Sequence, residues 1–154
     1  MFGNYGCDGG WMGQVFDYVK LNGITTEEKY PTRNDTFFLG ETGDCEQRKG
    51  EFRIRGYSYT SYKLYDCDSL TNMIQKRPVT VAVSVNWPFI FYHKGIFDSC
   101  DPISDIDINH AMLLVGVVEN SAFNYWIVKN SWGVTWGELG YMRLDRYKDY
   151  GNQC

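Results

Sequence analysis

The chain has no long apolar run, and this absence excludes one class of protein. No segment of its 154 residues approaches the roughly 20 consecutive apolar residues of a membrane-spanning helix. Its first ten residues, MFGNYGCDGG, lack the basic and apolar stretches of a signal peptide. We therefore predict no membrane partner. For a chain that opens on a glycine-rich turn, we expect either that processing removed a segment or that the chain begins inside a domain.

The sequence also lacks an excess of positive charge. Its net charge is −4, and acidic and basic residues are mixed along most of the length. This balance predicts no nucleic-acid partner and no anionic membrane surface as a partner. Between Lys94 and Lys129 there is no lysine or arginine, and four aspartates precede His110. A solvated acidic loop is the simplest interpretation of these aspartates, which are Asp98, Asp101, Asp105 and Asp107.

Cysteines spaced as zinc ligands are absent as well. The five cysteines lie far apart, and none forms a C-x-x-C pair, so we predict no metal site and no cofactor. An odd number leaves at least one thiol unpaired within this chain. The glycosylation sequon at 34–36 and this cysteine usage favour an oxidising, secretory compartment.

Local patterns predict an α+β fold. Apolar residues at helical spacing predict a helix after residue 10 that ends at Asn22 and Gly23, and a second short helix over 69–76. Residues 31–50 have the composition of an irregular surface loop. Helices followed by antiparallel strands are typical of the α+β class. The predicted strands are 79–85, 111–118, 125–130 and 140–145.

The two histidines differ in their surroundings. His93 follows aromatic residues at a predicted turn, where a surface role is the simplest interpretation. His110 stands at the start of an apolar strand, where a side chain can be rigid and still face a cleft. A neutral imidazole that acts as a base needs an acceptor for its other N–H. The carbonyl of Asn130 can be that acceptor, Trp132 can keep water from the bond, and Trp136 extends the apolar wall.

This segment, 124–141, has two other interpretations. It could be a buried structural turn, or its tryptophans could form a platform for a sugar, as in a carbohydrate-binding module. The platform does not explain why the Asn-His-Ala and Lys-Asn-Ser sequences occur together.

Several segments closely resemble the papain-like cysteine proteases, the cathepsin family. The resemblance covers nearly the whole chain, in the same order. It implies a partial papain-like fold, with a remnant of the helical domain over about 1–65 and an antiparallel, barrel-like β domain over about 66–154. The segments are NHAMLLVG (109–116), YWIVKNSWGVTWGELGY (125–141), GCDGGWM (6–12), TEEKYP (26–31), PVTVAV (78–83) and FYHKGIF (91–97).

The resemblance also implies a Cys-His-Asn site. His110 would be the general base and imidazolium, Asn130 would orient it, and Trp132 would cover the pair. The family carries Asp or Asn at the position of Asn109. The remaining residues would bind an extended peptide or protein substrate, and they are Gly9, Gly10, Met12, Ala82, Ile108 and Asn109.

Two parts of the family's catalytic machinery are missing. The nucleophilic cysteine motif and the oxyanion glutamine do not occur here. The family's spacing to His110 implies a cysteine roughly 20–40 residues before Met1. The resemblance implies a Cys100–Cys154 disulfide, with Cys7 and Cys45 paired to cysteines upstream. Cys67 has no counterpart in the family that we can assign.

We therefore expect the C-terminal portion of a cysteine endopeptidase, inactive alone, from a lysosomal, vacuolar or secreted protein. The alternative is a catalytically dead homologue that binds peptides or regulates another protein. The sequence upstream of Met1 discriminates the two.

Overall fold

The computed structural model describes residues 3–31, 50–59, 67–99 and 107–146, and for Cys7 it describes the backbone alone. The chain divides into two compact units, Met1–Tyr59 and Thr60–Cys154. Within the described ranges, no helix has the length and apolar character needed to cross a membrane. Most of the predicted 31–50 loop and the 34–36 sequon lie outside those ranges.

In its described residues, the first unit contains one α-helix. A short 3-10 turn, Gly6–Asp8, precedes helix α1, Met12–Asn22. The helix ends where the sequence predicts, because Gly23 takes φ +83° and its N–H bonds the carbonyl of Val19 at 3.0 Å. After this stop, Ile24 pairs with Phe52 in an isolated antiparallel bridge.

Over 67–99 and 107–146, the second unit consists of a five-stranded sheet and two short helices. In chain order its elements are α2 (Cys67–Ile74), β1 (Val79–Val83), α3 (Trp87–Ile90), β2 (Ile96–Phe97), β3 (His110–Glu119), β4 (Asn124–Lys129) and β5 (Tyr141–Asp145). The strand order is β1-β3-β4-β5-β2, and all pairs are antiparallel except β5 with β2. The four predicted strands are confirmed, whereas α3 and β2 were not predicted.

Apolar side chains from the strands and both helices form one core in this unit. β3 buries Met112 and Leu114, and β4 buries Trp126 and Val128, at the alternate positions expected of strands. Helix α2 begins two residues before the predicted 69–76 and ends at Ile74, so Cys67 also reaches this core. Other members of the core are Ile74, Phe89, Tyr92, Phe97 and Met142.

One charged residue, Arg146, is buried at the edge of the core. Its guanidinium bonds Thr71 of α2 and Glu119 of β3, both at 2.9 Å, and lies 4.9 Å from the ring centre of Trp126. The pairing offsets the cost of burying the charge and joins α2 to the sheet.

Candidate active site

The sheet brings His110 and Asn130 together. His110 is the first residue of β3, and its register partner Val83 is the last residue of β1. Asn130 follows the last residue of β4 directly. Because β3 and β4 are antiparallel, with Leu113 opposite Lys129, the start of β3 lies beside the end of β4. Two residues that are 20 apart in sequence therefore meet at one end of the sheet.

A hydrogen bond joins the two side chains. His110 Nε2 lies 2.9 Å from Asn130 Oδ1. The same Oδ1 atom accepts the backbone N–H of Ser131 at 2.7 Å. Since a backbone N–H can only donate, this second bond fixes which end of the amide is oxygen. The ring nitrogen Nε2 must then be the donor, and in a neutral imidazole the other nitrogen, Nδ1, keeps its lone pair.

Asn130 is held from its backbone as well. Its side chain is buried, and its N–H bonds the carbonyl of Gly140 at 2.9 Å. Its Nδ2 has no hydrogen-bond partner among the described residues. An unpaired buried N–H group costs stability, so the fold tolerates this amide for what its oxygen does.

Trp132 lies against this pair. The centre of its ring is 5.0 Å from that of His110, and the two planes are inclined at 34°. One face of the bonded imidazole is therefore covered by indole, while Trp132 itself stays 37% exposed. Apolar cover of this kind strengthens a hydrogen bond by keeping competing water away.

An aromatic cluster supports Trp132 from behind. Phe89 of α3 contacts Trp132 edge to face at 6.0 Å and stacks on Trp136 at 5.7 Å. Trp136 also meets Trp132 edge to face at 5.3 Å, and its indole N–H donates to the carbonyl of Ile90 at 3.0 Å. These contacts fix the indole at the orientation that covers His110.

An ion pair locks the turn that carries Trp136. Glu138 accepts two bonds from the Arg143 guanidinium, at 2.9 and 2.6 Å, and one from the N–H of Gly95 at 3.0 Å. The Arg143 bonds hold the pKa of Glu138 below its usual value, and the same pairing raises the pKa of Arg143. Tyr92 joins the network by donating to Gly95 O at 2.7 Å and accepting from Arg143 N at 3.2 Å, and burial raises the pKa of its hydroxyl.

Three further residues of the predicted site lie close to His110 in the sheet. Ala82 is an exposed residue of β1 opposite Ala111, and Ile108 is also exposed. Asn109 is exposed, but its side chain bonds both the N–H and the carbonyl of Val85. Their substrate-binding role stays a prediction.

The other three predicted residues belong to the first unit. Gly9 has φ +98°, and a Cβ there would meet no atom within 4 Å. Gly10 has a purely local reason to be glycine, since a Cβ would lie 2.3 Å from the side-chain oxygen of Asn4, which accepts the N–H of Trp11. Met12 is the first residue of α1. Their binding role also stays a prediction.

The cysteines provide no described thiol at this site. Cys67 is almost fully buried and disulfide-bonded, and its partner's side chain lies outside the described residues. The side chain of Cys7 and the whole of Cys45, Cys100 and Cys154 lie outside them too. The predicted pairings leave no partner in this chain for Cys67, so its bond shows that they cannot all hold, and each one taken alone stays a prediction. Within the described ranges, no three His, Cys, Asp or Glu side chains are grouped to hold a metal ion.

Sequence patterns missed the residues that support the site. Phe89, Glu138 and Arg143 act through contacts between segments about 5–46 residues apart, which no local period reveals. The one local signal was Asn86, a good helix cap placed one residue before Trp87-Pro88, the typical start of a short helix.

Comparisons with known proteins identify relatives of this chain. A cathepsin L-like proteinase of Fasciola hepatica is 39% identical over 158 residues, and pro-cathepsin H of Bos taurus is 37% identical over 157. Each alignment covers 99% of this chain but 44% of the relative, so the chain spans less than half the length of these curated proteins. Among solved structures, the bromelain protease of Ananas comosus, in complex with the E64 inhibitor, superposes with a TM-score of 0.80 at 32% identity, over 96% of this chain and 65% of that one.

These neighbours confirm the predicted α+β class and the partial papain-like fold. The sequence-family model that describes the papain family cysteine proteases matches residues 1–154, the full length of the sequence. The chain belongs to the papain family of cysteine proteases.

Proposed function

We propose that the protein that contains this chain is a cysteine endopeptidase in which His110 is the general base and Asn130 orients it. The observation that carries the proposal is the bond from His110 Nε2–H to an Asn130 oxygen that Ser131 N–H also fixes. That bond leaves Nδ1 as the free acceptor of the neutral ring. A base with one nitrogen held and the other open is what nucleophile activation requires.

The chemistry follows from that arrangement. Nδ1 takes the proton of a cysteine thiol, and the thiolate sulfur attacks the carbonyl carbon of the substrate peptide bond. The carbon–nitrogen bond breaks, the amine leaves with the proton from Nδ1, and a thioester remains on the sulfur. Water then gives a proton to Nδ1 and attacks the thioester, which releases the acid and restores the thiol. Asn130 holds the ring through both steps, and Trp132 limits the access of water to the Nε2 bond.

We assign the nucleophile and the oxyanion donor to an N-terminal segment of the same protein that lies outside these 154 residues. This segment is a proposed partner of the chain. The absence of the family's cysteine motif and glutamine from the sequence supports this assignment. The buried, disulfide-bonded state of Cys67 supports it further. The 154 residues alone are therefore inactive.

Extended peptides and proteins are the proposed substrates. The exposed Ala82 and Ile108 support the side-chain binding roles that the family resemblance gives them, and Gly10 has the backbone role. A lysosomal, vacuolar or secreted location is proposed on the cysteine content of the sequence, since disulfides persist in oxidising compartments.

The test compares the 154-residue chain with the longest reading frame that contains it. We expect turnover of a peptide library by the longer protein alone, and its loss in His110→Ala and after alkylation. Asn130→Ala and Trp132→Ala should lower kcat by about 10- to 100-fold without abolishing it. His93→Ala is the matched control, since it removes an exposed imidazole that has no place in the proposed mechanism.

Two results would reject the proposal. Turnover by the 154 residues alone that is lost in His110→Ala would place the nucleophile on an internal cysteine. An inactive longer protein, with serine or glycine at the expected cysteine position, would make the protein a dead homologue.

A further inference from the structure

Two asparagines bond the segment in which β1 leads into α3, beside the site. Asn109 precedes His110, and Asn86 precedes the first residue of α3. The Asn109 side chain bonds Val85, and the side chain of the next residue, Asn86, bonds Phe89 and Ser99. We propose that Asn86 and Asn109 form a brace, called here the asparagine brace, that positions His110 and its Trp132 cover. This inference rests on the proposed function for its meaning in catalysis.

The Asn109 side chain prolongs the sheet beyond its last backbone pair. The β1–β3 ladder ends with Val83 opposite His110, and Asn109 N–H still reaches the carbonyl of Val83 at 3.2 Å. Two residues further, the Asn109 amide accepts from Val85 N–H at 2.9 Å and donates to Val85 O at 3.3 Å. The amide thus acts as one more peptide group in the ladder. Strand ends fray readily, and this clamp lies directly beside the base.

The Asn86 side chain holds the other half of the brace. Its oxygen accepts from Phe89 N–H at 3.1 Å, and its Nδ2 donates to Ser99 O at 2.9 Å. Helix α3 has four residues, far too few to be stable by itself, so this cap is a large share of its support. Phe89 is 3% exposed and contacts Trp132. The cap therefore reaches His110 through Phe89 and Trp132.

In this chain each of the two amides uses both its donor and its acceptor. Aspartate at 109 would keep the bond from Val85 N–H but would place a second oxygen against Val85 O. Alanine would remove both bonds. The same holds at 86, where serine can still accept from Phe89 N–H but has no amide to reach Ser99 O. Neither asparagine has a described contact with the imidazole, so both are positioning residues.

The first measurement is NMR on the protein, which reads the brace without relying on activity. With two histidines in these 154 residues, His110 can be assigned beside the exposed His93. In Asn109→Ala we expect exchange of the Val85 amide to accelerate about 5-fold or more, since a net bond of about 1 kcal/mol corresponds to that ratio. In Asn86→Ala, exchange of the Phe89 amide should accelerate by a similar factor. In both variants the ring protons of His110 should lose the shift imposed by Trp132.

Asn120→Ala is the matched control. Asn120 is an exposed asparagine whose side-chain oxygen also accepts two backbone N–H groups, from Ala122 at 2.9 Å and Phe123 at 2.8 Å. It lies at the opposite end of β3, so its loss should leave the His110 signals unchanged. Asn86→Ser, which keeps an acceptor for the cap, should restore the Phe89 amide and most of the His110 signals.

The second measurement is kinetic, in the longest protein that contains the chain. Asn86→Ala and Asn109→Ala should each lower kcat about 10-fold with KM within about 2-fold. In the double variant, the fold-decrease in kcat should be smaller than the product of the two single fold-decreases, because the effects of coupled positions are not additive. A rise in KM at unchanged kcat would make Asn109 a substrate contact and overturn the brace. Unchanged His110 signals in both alanine variants would overturn it as well. An inactive native protein would reject the proposed function alone, since the NMR result still decides the brace.

Discussion

Gly137→Ala, which adds one methyl group at a turn beside the site, should strongly lower the stability of the fold. Gly137 takes φ +57°, a conformation that costs an alanine roughly 1 kcal/mol or more. A Cβ there would lie 2.5 Å from the carbonyl oxygen of Tyr141 and 3.1 Å from two ring atoms of Tyr92. Neither neighbour can move away, since the first is backbone and the second is 7% exposed with its hydroxyl bonded on both sides.

The expected cost of Gly137→Ala is about 2–4 kcal/mol. Overpacking against fixed neighbours adds about 1–3 kcal/mol to the backbone strain. Alanine also reduces the conformational entropy of the unfolded chain, which offsets about 0.4–1 kcal/mol of this cost. Gly133→Ala is the matched control, because Gly133 has φ +86° but a Cβ there meets nothing within 4 Å. It should cost about 1 kcal/mol or less.

Urea unfolding followed by tryptophan fluorescence measures both variants. We expect the midpoint for Gly137→Ala to fall well below that for Gly133→Ala, at an unchanged slope. His110 signals should also move in Gly137→Ala, because the same turn carries Trp136 and the carbonyl that bonds Asn130 N–H. Equal midpoints for the two variants would refute the reasoning, since they would show that the steric contact at residue 137 carries no energy.

Three further predictions concern the same turn and the cysteines. Glu138→Gln should destabilise the protein by about 1–2 kcal/mol at pH 7. Arg143 lowers the pKa of Glu138 in the folded state, so the ion pair stabilises the fold fully above the unfolded pKa of about 4.5 and loses this effect as the pH falls through the folded pKa. At pH 3, urea unfolding should therefore show a smaller difference between Glu138→Gln and the native protein. Leu139→Asn should stabilise the protein by up to about 1 kcal/mol in the same unfolding assay, because Leu139 has φ +56° and is 76% exposed. Peptide mapping without reduction should find Cys100 linked to Cys154, and a link from either to another cysteine would show the pairing to be wrong.

The regular part of the fold followed from local patterns. Helix α1 was predicted to its last residue because apolar spacing and the Asn22-Gly23 stop act within one segment. The four strands were predicted because alternation and apolar runs are also local. Even the meeting of His110 with Asn130 was predictable, since an imidazole base needs an acceptor and antiparallel neighbours bring strand ends together.

The supporting part of the site did not follow from such patterns. Helix α3 has four residues and depends on a cap and on aromatic contacts made far along the chain. Strand β2 has two residues and pairs in parallel with β5, about 47 residues later, a pairing that no period predicts. The side chain of Asn109 bonds Val85, 24 residues away in sequence, a contact that no local pattern predicts. Hydrogen bonds between distant segments decided each of these features.

The contacts that orient His110 do not depend on the proposed nucleophile. Every described group that orients His110 belongs to the second unit: Asn130 bonds the ring, Trp132 covers it, and Phe89 supports the cover. None of them needs a thiol in order to form. Under the proposed function, the base is set by strand ends and aromatic packing before any chemistry occurs, and the proposed external nucleophile would meet an imidazole whose Nδ1 has no partner among the described residues. Such preorganisation is how a site avoids the cost of ordering its groups at the moment of reaction. The imidazole should therefore show the same Trp132-shifted signals whether or not the nucleophile is present, and a mutation of that cysteine should abolish turnover while leaving them unchanged.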